Sequence, residues 1–253
     1  MISRYNAWMD GIALSSINGD LYVRDIISEA VNIVSNAAKP AAGLGAYVST
    51  RSRDALRVTL EFELHIYDPA ARQKACMEVV KWANGRELRV SDRPGQILKV
   101  ICDDPPAISS ALRWTDTLAV SFLAYETPYW VDDVPKAVSV NNSSGTLWVP
   151  GNVPETLAKA KVDATVTATA SVTSVTVTAG DTSITLSGIS LSNGDTVVFS
   201  HDDNGILSIK KGATSLLDKR TAASSDDLEV PCGKASTFSS TRKCAFSVKG
   251  MWL

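Results

Sequence analysis

The segment ALRVTLEFELHIY, residues 55–67, constrains this chain more than any other. Leu56, Val58, Leu60, Phe62, Leu64 and Ile66 occupy every second position, with Arg57, Thr59, Glu61, Glu63 and His65 between them. A β-strand turns successive side chains to opposite faces, whereas a helix would scatter these six around its circumference. The pattern predicts a strand with one buried and one wet face, hence an antiparallel sheet with a core on one side. Placed at a sheet edge, it would leave backbone donors and acceptors unpaired until a neighbouring subunit covers them.

The next stretch, DPAARQKACMEVVKWANG, changes the period. Asp68 suits an N-cap, Pro69 the first helical position, and Gly85 a left-handed C-terminal stop. Ala71, Ala75, Cys76, Val79, Val80 and Ala83 form the apolar stripe, with Arg72, Lys74, Glu78 and Lys81 turned to water. One helix therefore packs on the sheet. Before it, WMDGIALSSINGDLYVRDI reads as two strands around Asn18-Gly19. RELRV, ILKVICD and TLAVSFLAYETPYW supply further strands. Trp8, Trp82, Trp114 and Trp130 all lie in this half. The stretch Asn36–Asp54 is rich in Gly and Ala, then basic, without sustained period; it reads as a long projecting loop that orders on a partner.

The second half has a different texture. VDATVTATASVTSVTV, SITLSGISL, DTVVFS and GILSIKK alternate β-branched and small residues, punctuated by Gly180-Asp181, Asn193-Gly194 and Asn204-Gly205. That predicts an antiparallel β-sandwich. VDDVPKAVSVNNSSG, residues 131–145, has the composition of a linker. The fold class is mainly β: an α+β domain with one packed helix over residues 1–133, and a sandwich over 134–253. At 253 residues the chain is long enough for both cores.

No residues assemble a reaction. His65 sits on the polar face of its strand with no nucleophile motif beside it. His201 opens HDDNG, where Asp202, Asp203 and Asn204 suggest a calcium loop but lack the alternating ligands and distal Glu; a hairpin tip fits better. Asp103–Asp104, Asp132–Asp133 and Asp226–Asp227 are adjacent acids, which on a strand point to opposite faces. There is no HExxH, GxSxG, GxxxxGK[ST] or GxGxxG. Catalytic, cofactor and metal residues are therefore assigned to none. Cys76, Cys102, Cys232 and Cys244 read as reduced thiols, with a cross-strand Cys232–Cys244 disulfide as the alternative. The charge of −2, from 25 Lys+Arg against 27 Asp+Glu, gives no electrostatic reason for tight phosphate binding. No signal peptide is visible in MISRYNAWMDG, and the longest apolar run, Leu118–Ala124, is far short of a membrane span.

The order of these elements resembles the distal tail proteins (Dit) of siphophages. WMDGIALSSINGDLYVRDI looks like their first hairpin, and the alternating strand with its capped helix like their ring-forming domain. FLAYETPYW looks like the close of that domain. The β-rich remainder, with LEVPCGKAS as a loose match to a family turn, is similar to their galectin-like C-terminal domain. The resemblance implies a structural virion protein, a hexameric homo-oligomeric ring joining the tail tube protein to the tail-tip hub protein. DNA would pass through the lumen without being specifically bound, and outer domains would offer docking for tail fibres or receptor-binding proteins. The implied location is the phage tail tip, with assembly in the host bacterial cytoplasm and no membrane. Assembly is expected to reside in residues 1–133, with Arg51 and Arg53 reaching acidic groups of a neighbour. The other class is a carbohydrate-binding, lectin-like module for host-surface adhesion. Trp148, Phe199, Phe238, Phe246 and Trp252 are its candidate aromatics, of which Phe199 and Phe246 read as core.

Overall fold

The computed structural model describes residues 5–29, 33–38, 47–106, 117–124, 126–202 and 204–253, with backbone alone for 33–38 and 47–53. Trp114, Tyr125, Asp203, residues 39–46 of the projecting loop and the side chains of Arg51 and Arg53 lie outside the described residues. The protein is mainly β and antiparallel, with one α-helix among the described residues. It divides into two compact units, Met1–Trp130 and Val131–Leu253.

The first unit contains β1 (Ala7–Met9), β2 (Ile12–Ala13), β3 (Leu21–Ser28), β4 (Ile33–Ala38), β5 (Tyr47–Arg53) and β6 (Leu56–Leu64). Then follow α1 (Pro69–Ala83), β7 (Glu87–Val90), β8 (Gln96–Lys99), β9 (Ile101–Asp104) and β10 (Thr117–Ala124). One sheet runs β3-β6-β10-β9 and another contains β2-β1-β7-β8. The alternation is kept through β6, where Leu56, Val58, Leu60, Phe62 and Leu64 are all buried and the residues between are half-buried; the strand stops at Leu64, and Ile66 is buried just beyond it.

Its position is not the expected one. β6 pairs with β3 on one side and β10 on the other, so the edges of that sheet are β3 and β9. A strand so evenly apolar on one face is best buried between neighbours, where its whole row of backbone groups is satisfied. The hairpin turn also differs. β1 and β2 are joined by Asp10 and Gly11, both with positive φ (51° and 82°), the conformation of a two-residue primed turn. Asn18-Gly19 instead makes a bend into β3, with Asn18 Oδ1 accepting from Asp20 N at 2.8 Å.

The helix begins as read: Asp68 Oδ2 accepts from Ala71 N at 2.7 Å, and Pro69 follows. Its end does not. Asn84 is the C-cap, and Gly85 is needed for close approach rather than for handedness: a Cβ there would stand 2.2 Å from Met9 Cγ. Trp82 joins Ala75, Cys76, Val79 and Ala83 as the buried side chains, while Ala71 and Val80 are only half-buried. Arg72 is not free in water, since it donates to Ile66 O at 3.2 Å.

The second unit holds the end of β11 (Trp130–Asp132), then β12 (Lys136–Val149), β13 (Ala160–Thr167), β14 (Val172–Ala179), β15 (Thr182–Leu191) and β16 (Thr196–His201). β17 (Leu207–Lys211), β18 (Thr214–Ser215), β19 (Glu229–Val230), β20 (Lys234–Val248) and β21 (Met251–Trp252) complete it. The stretch read as a linker is mostly strand: β12 pairs with β20 along nearly its whole length. Hydrogen bonding runs continuously through β15-β14-β20-β13-β16-β17-β18, with β12 also on β20. β20 makes this possible because its first half pairs with β14 and its second with β13. Phe199, Phe238 and Phe246 are buried, the latter two 5.3 Å apart between centroids.

Candidate assembly interface

The first unit's chemistry is concentrated in exposed backbone. Among the described residues of the four-stranded sheet, β3 meets Tyr5 through an isolated bridge at Val23 on its outer side, and β9 pairs with β10 alone. Among the described residues, two edge strands therefore flank a sheet whose inner strands are closed. Ile27 on β3 and Ile101 on β9 are large apolar residues with 38% and 52% exposure at those edges.

The segment expected as an irregular loop is in part a ribbon. β4 and β5 pair antiparallel from Ile33↔Arg53 to Ala38↔Tyr47. β3 and β6 pair down to Ser28↔Val58, and Glu29 N donates to Arg57 O at 3.0 Å, so the ribbon prolongs that strand pair.

Trp82 organises the scaffold beneath these edges. Its Nε1 donates to Ile12 O on β2 at 2.7 Å, and its ring meets Phe122 of β10 edge-on at 6.1 Å. One helical side chain thus engages both sheets of the unit. Its place three residues after Val79 continues the buried face and was the signal available in sequence. At the unit's end Tyr129 and Trp130 are buried, and Arg93 lies over the Trp130 ring at 5.2 Å.

The polar face of the four-stranded sheet is a lattice of partners. Arg57 reaches Asp103 at 2.8 Å, Arg24 reaches Glu63 at 3.5 Å, and His65 Nε2 stands 3.0 Å from Glu63 Oε2 with its ring edge-on to Tyr22. Asp103 and Asp104 are on strand β9.

Among the described residues the largest ionic cluster is in the second unit. His201, whose side chain is 6% exposed, places Nδ1 2.9 Å from Asp163 Oδ1 and Nε2 2.5 Å from Asp227 Oδ1. Lys161 Nζ bonds Asp227 at 2.6 Å and Glu229 at 3.1 Å. Burial alone would lower the His201 pKa, but the two carboxylates outweigh it and raise it to about 9. Asp227 is held below its usual range by His201 and Lys161 against the opposing effect of burial. Between β16 and β17, Asp202 Oδ1 accepts from Asn204 N and Ile206 N, as a hairpin connection requires. Reading it as a surface turn missed the buried His201, because Asp163 and Asp227 are distant in sequence. Asp132 accepts from Gly250 N and Trp252 Nε1, so it too is a structural clamp.

All four cysteines are free thiols. Cys244 faces the interior of β20, where burial pushes its pKa to about 12. No grouping of three or more His, Cys, Asp or Glu suited to a metal occurs among the described residues. No helix among them is long and apolar enough to cross a membrane.

No protein-family model matches the chain, and no curated protein matches it in sequence. Its fold has counterparts. The SPP1 Dit protein, a paradigm of the hub adsorption apparatus in phages infecting Gram-positive hosts, shares it with a TM-score of 0.75 at 12% identity. That match covers 98% of this chain and 99% of the other. A chain of the phage p2 baseplate in its activated conformation with strontium gives a TM-score of 0.50 at 11% identity, covering 97% of each chain. The likeness is one of fold, and it spans both units.

Proposed function

We propose that this protein is a structural component of a phage tail, a distal tail protein whose subunits close into a hexameric ring between the tail tube and the tip hub. The observation that carries the reading is the end-to-end likeness to the SPP1 Dit protein, covering 98% of this chain. The open β3 and β9 edges supply a physical means. When β3 of one subunit pairs with β9 of the next, each sheet continues its neighbour's, and a fixed rotation closes the set into a ring with no edge left bare. The β4–β5 ribbon extends the assembly from the same strand pair. DNA passes through the lumen unbound, consistent with a net charge of −2. Residues 134–253 form a galectin-like outer domain that docks fibres or receptor-binding proteins. The protein resides in the virion after assembly in the host cytoplasm, and it is not an enzyme.

Native mass measurement of the full chain tests this directly. A particle near six times 27.0 kDa, with a central hole in negative stain, is the expected result. A chain that stays monomeric at high concentration, both alone and with its tube protein present, overturns it.

A second reading has one observation in its favour. Trp148 is 62% exposed on β12, the kind of aromatic platform on which a sugar ring stacks. Glycan-array binding that disappears in Trp148→Ala would establish a lectin activity for the second unit.

A further inference from the structure

Most margins of the second unit's sheet are guarded. β15 is covered by a following segment: Thr221 N donates to Thr185 O at 2.9 Å and Ser225 N to Ser183 O at 2.7 Å. The hydroxyls of Ser225 and Ser224 accept in return from Ser183 N and Thr185 N. β18 and β19 are two residues long. β12 is different. It is 14 residues long and, among the described residues, pairs with β20 alone, leaving its outer edge without a strand partner. Its protections are few: it has no proline, its one charge, Lys136, is its first residue, and its one irregularity, between Asn141 and Ser143, leaves the run before it regular. Most of its residues are exposed.

Charge says what kind of strand would fit. Residues 136–149 and 234–249 contain Lys136, Lys234, Arg242, Lys243 and Lys249 and no Asp or Glu, in a chain whose net charge is −2. Among the described residues only Lys234 has a carboxylate partner, Glu155 at 2.9 Å. Lys136 and Lys243 are exposed, and Arg242 Nε is buried without a partner. Lys136 begins β12, and Lys243 lies opposite Asn141, just before the irregularity between Asn141 and Ser143. Among the described residues the run Lys136–Asn141 is thus a regular, uncovered ladder, with Lys136 at one end and, opposite its other end on the adjacent strand β20, Lys243, neither with a carboxylate partner.

We propose that β12 is an acceptor edge for an extended, acidic segment of a different protein, which adds to Lys136–Asn141 as a further strand. Only an extended backbone satisfies a row of alternating N–H and C=O groups, and carboxylates on the incoming strand would meet Lys136 and Lys243. A second copy of this chain is the wrong occupant. Its β12 brings the same cations and no acid, and its β9 is four residues long with Asp103 already bonded to Arg57. The inference rests on the second unit alone and holds whether or not the first builds a ring.

The test uses the full-length protein and two synthetic peptides of about six residues, matching Lys136–Asn141, with Thr and Val alternating between terminal Glu in one and terminal Lys in the other. The Glu peptide is expected to slow amide hydrogen exchange within 136–141. The Lys peptide should bind at least about ten-fold more weakly on the unaltered protein. In a Lys136→Glu/Lys243→Glu variant with unchanged melting, the preference should reverse. Failure of the Glu peptide to protect 136–141, or protection indifferent to peptide charge, overturns the proposal. Protection in the protein alone that grows with its concentration would assign the edge to a second copy and overturn it equally.

Discussion

His201 is held from both sides: its Nε2–H donates to Asp227 Oδ1 at 2.5 Å while its Nδ1–H donates to Asp163 Oδ1 at 2.9 Å. Only the doubly protonated ring can donate twice, so the folded unit selects the cation. The clamp ties β13, the end of β16 and the segment entering β19 at one point. A folded pKa of about 9 exceeds the ordinary 6.5, so the folded state binds the proton more tightly than the unfolded chain. The resulting stabilisation, of order 3 kcal/mol, is fully present below pH ~6.5 and is lost as pH rises through about 9. Denaturant midpoints of the second unit should therefore fall between mildly acidic and alkaline buffer. His201→Gln should start lower and show little slope over the same range.

Gly85 stands where the helix exit meets β1. A Cβ at that position would fall 2.2 Å from Met9 Cγ and 2.5 Å from Asp10 Oδ2. Asp10 is itself committed, because its carboxylate accepts from the backbone of Arg86 and Glu87. Gly85→Ala should thus cost about 1–3 kcal/mol despite alanine's better intrinsic propensity, read as a lowered denaturant midpoint at unchanged m-value. A neutral result would mean that Met9 rotates away freely.

The proposed ring junction gives a prediction that separates assembly from folding. Ile27→Lys and Ile101→Lys each place a charge on an open edge, at positions 38% and 52% exposed. Each should change monomer stability by no more than about 0.5 kcal/mol while reducing the native mass to that of a single chain. A variant that still assembles shows that its edge lies outside the junction.

The fold was legible wherever one residue type recurred at one period. The β6 alternation and the Asp68 cap needed nothing beyond their own neighbours; the cap is present as read, and the strand is present but two residues shorter, ending at Leu64. What escaped depended on distant partners. Nothing in the sequence of β6 tells whether β3 and β10 both bind it, so a central strand was assigned to an edge. The Pro135 and Asn-Ser composition of 131–145 imitates a linker, yet β20 supplies a partner along β12 that local composition does not encode. His201 was passed over for the same reason. Its two carboxylates come from residues 163 and 227, which only the tertiary fold brings together.

The last prediction concerns the β4–β5 ribbon. It has its own ladder, from Ile33↔Arg53 to Ala38↔Tyr47, and an isolated two-stranded ribbon contributes little to the stability of the sheet it extends. The β3–β6 pair is complete without it down to Ser28↔Val58, with Glu29 N bonded to Arg57 O just beyond. Replacing residues 31–55 by Asn-Gly leaves positions 30 and 56 flanking a two-residue turn in the same register, the geometry such a dipeptide favours. Shortening the connection lowers the entropy of the unfolded chain slightly, so the truncated protein should match the parent's stability within about 1 kcal/mol. If the ribbon serves assembly, the native mass should nonetheless fall to one chain, with circular dichroism still reporting a folded monomer. A truncated chain that assembles to the parent's mass would show that the β3 and β9 edges suffice. One that fails to fold would make the ribbon part of the unit's own structure, and the assembly role would then have no support.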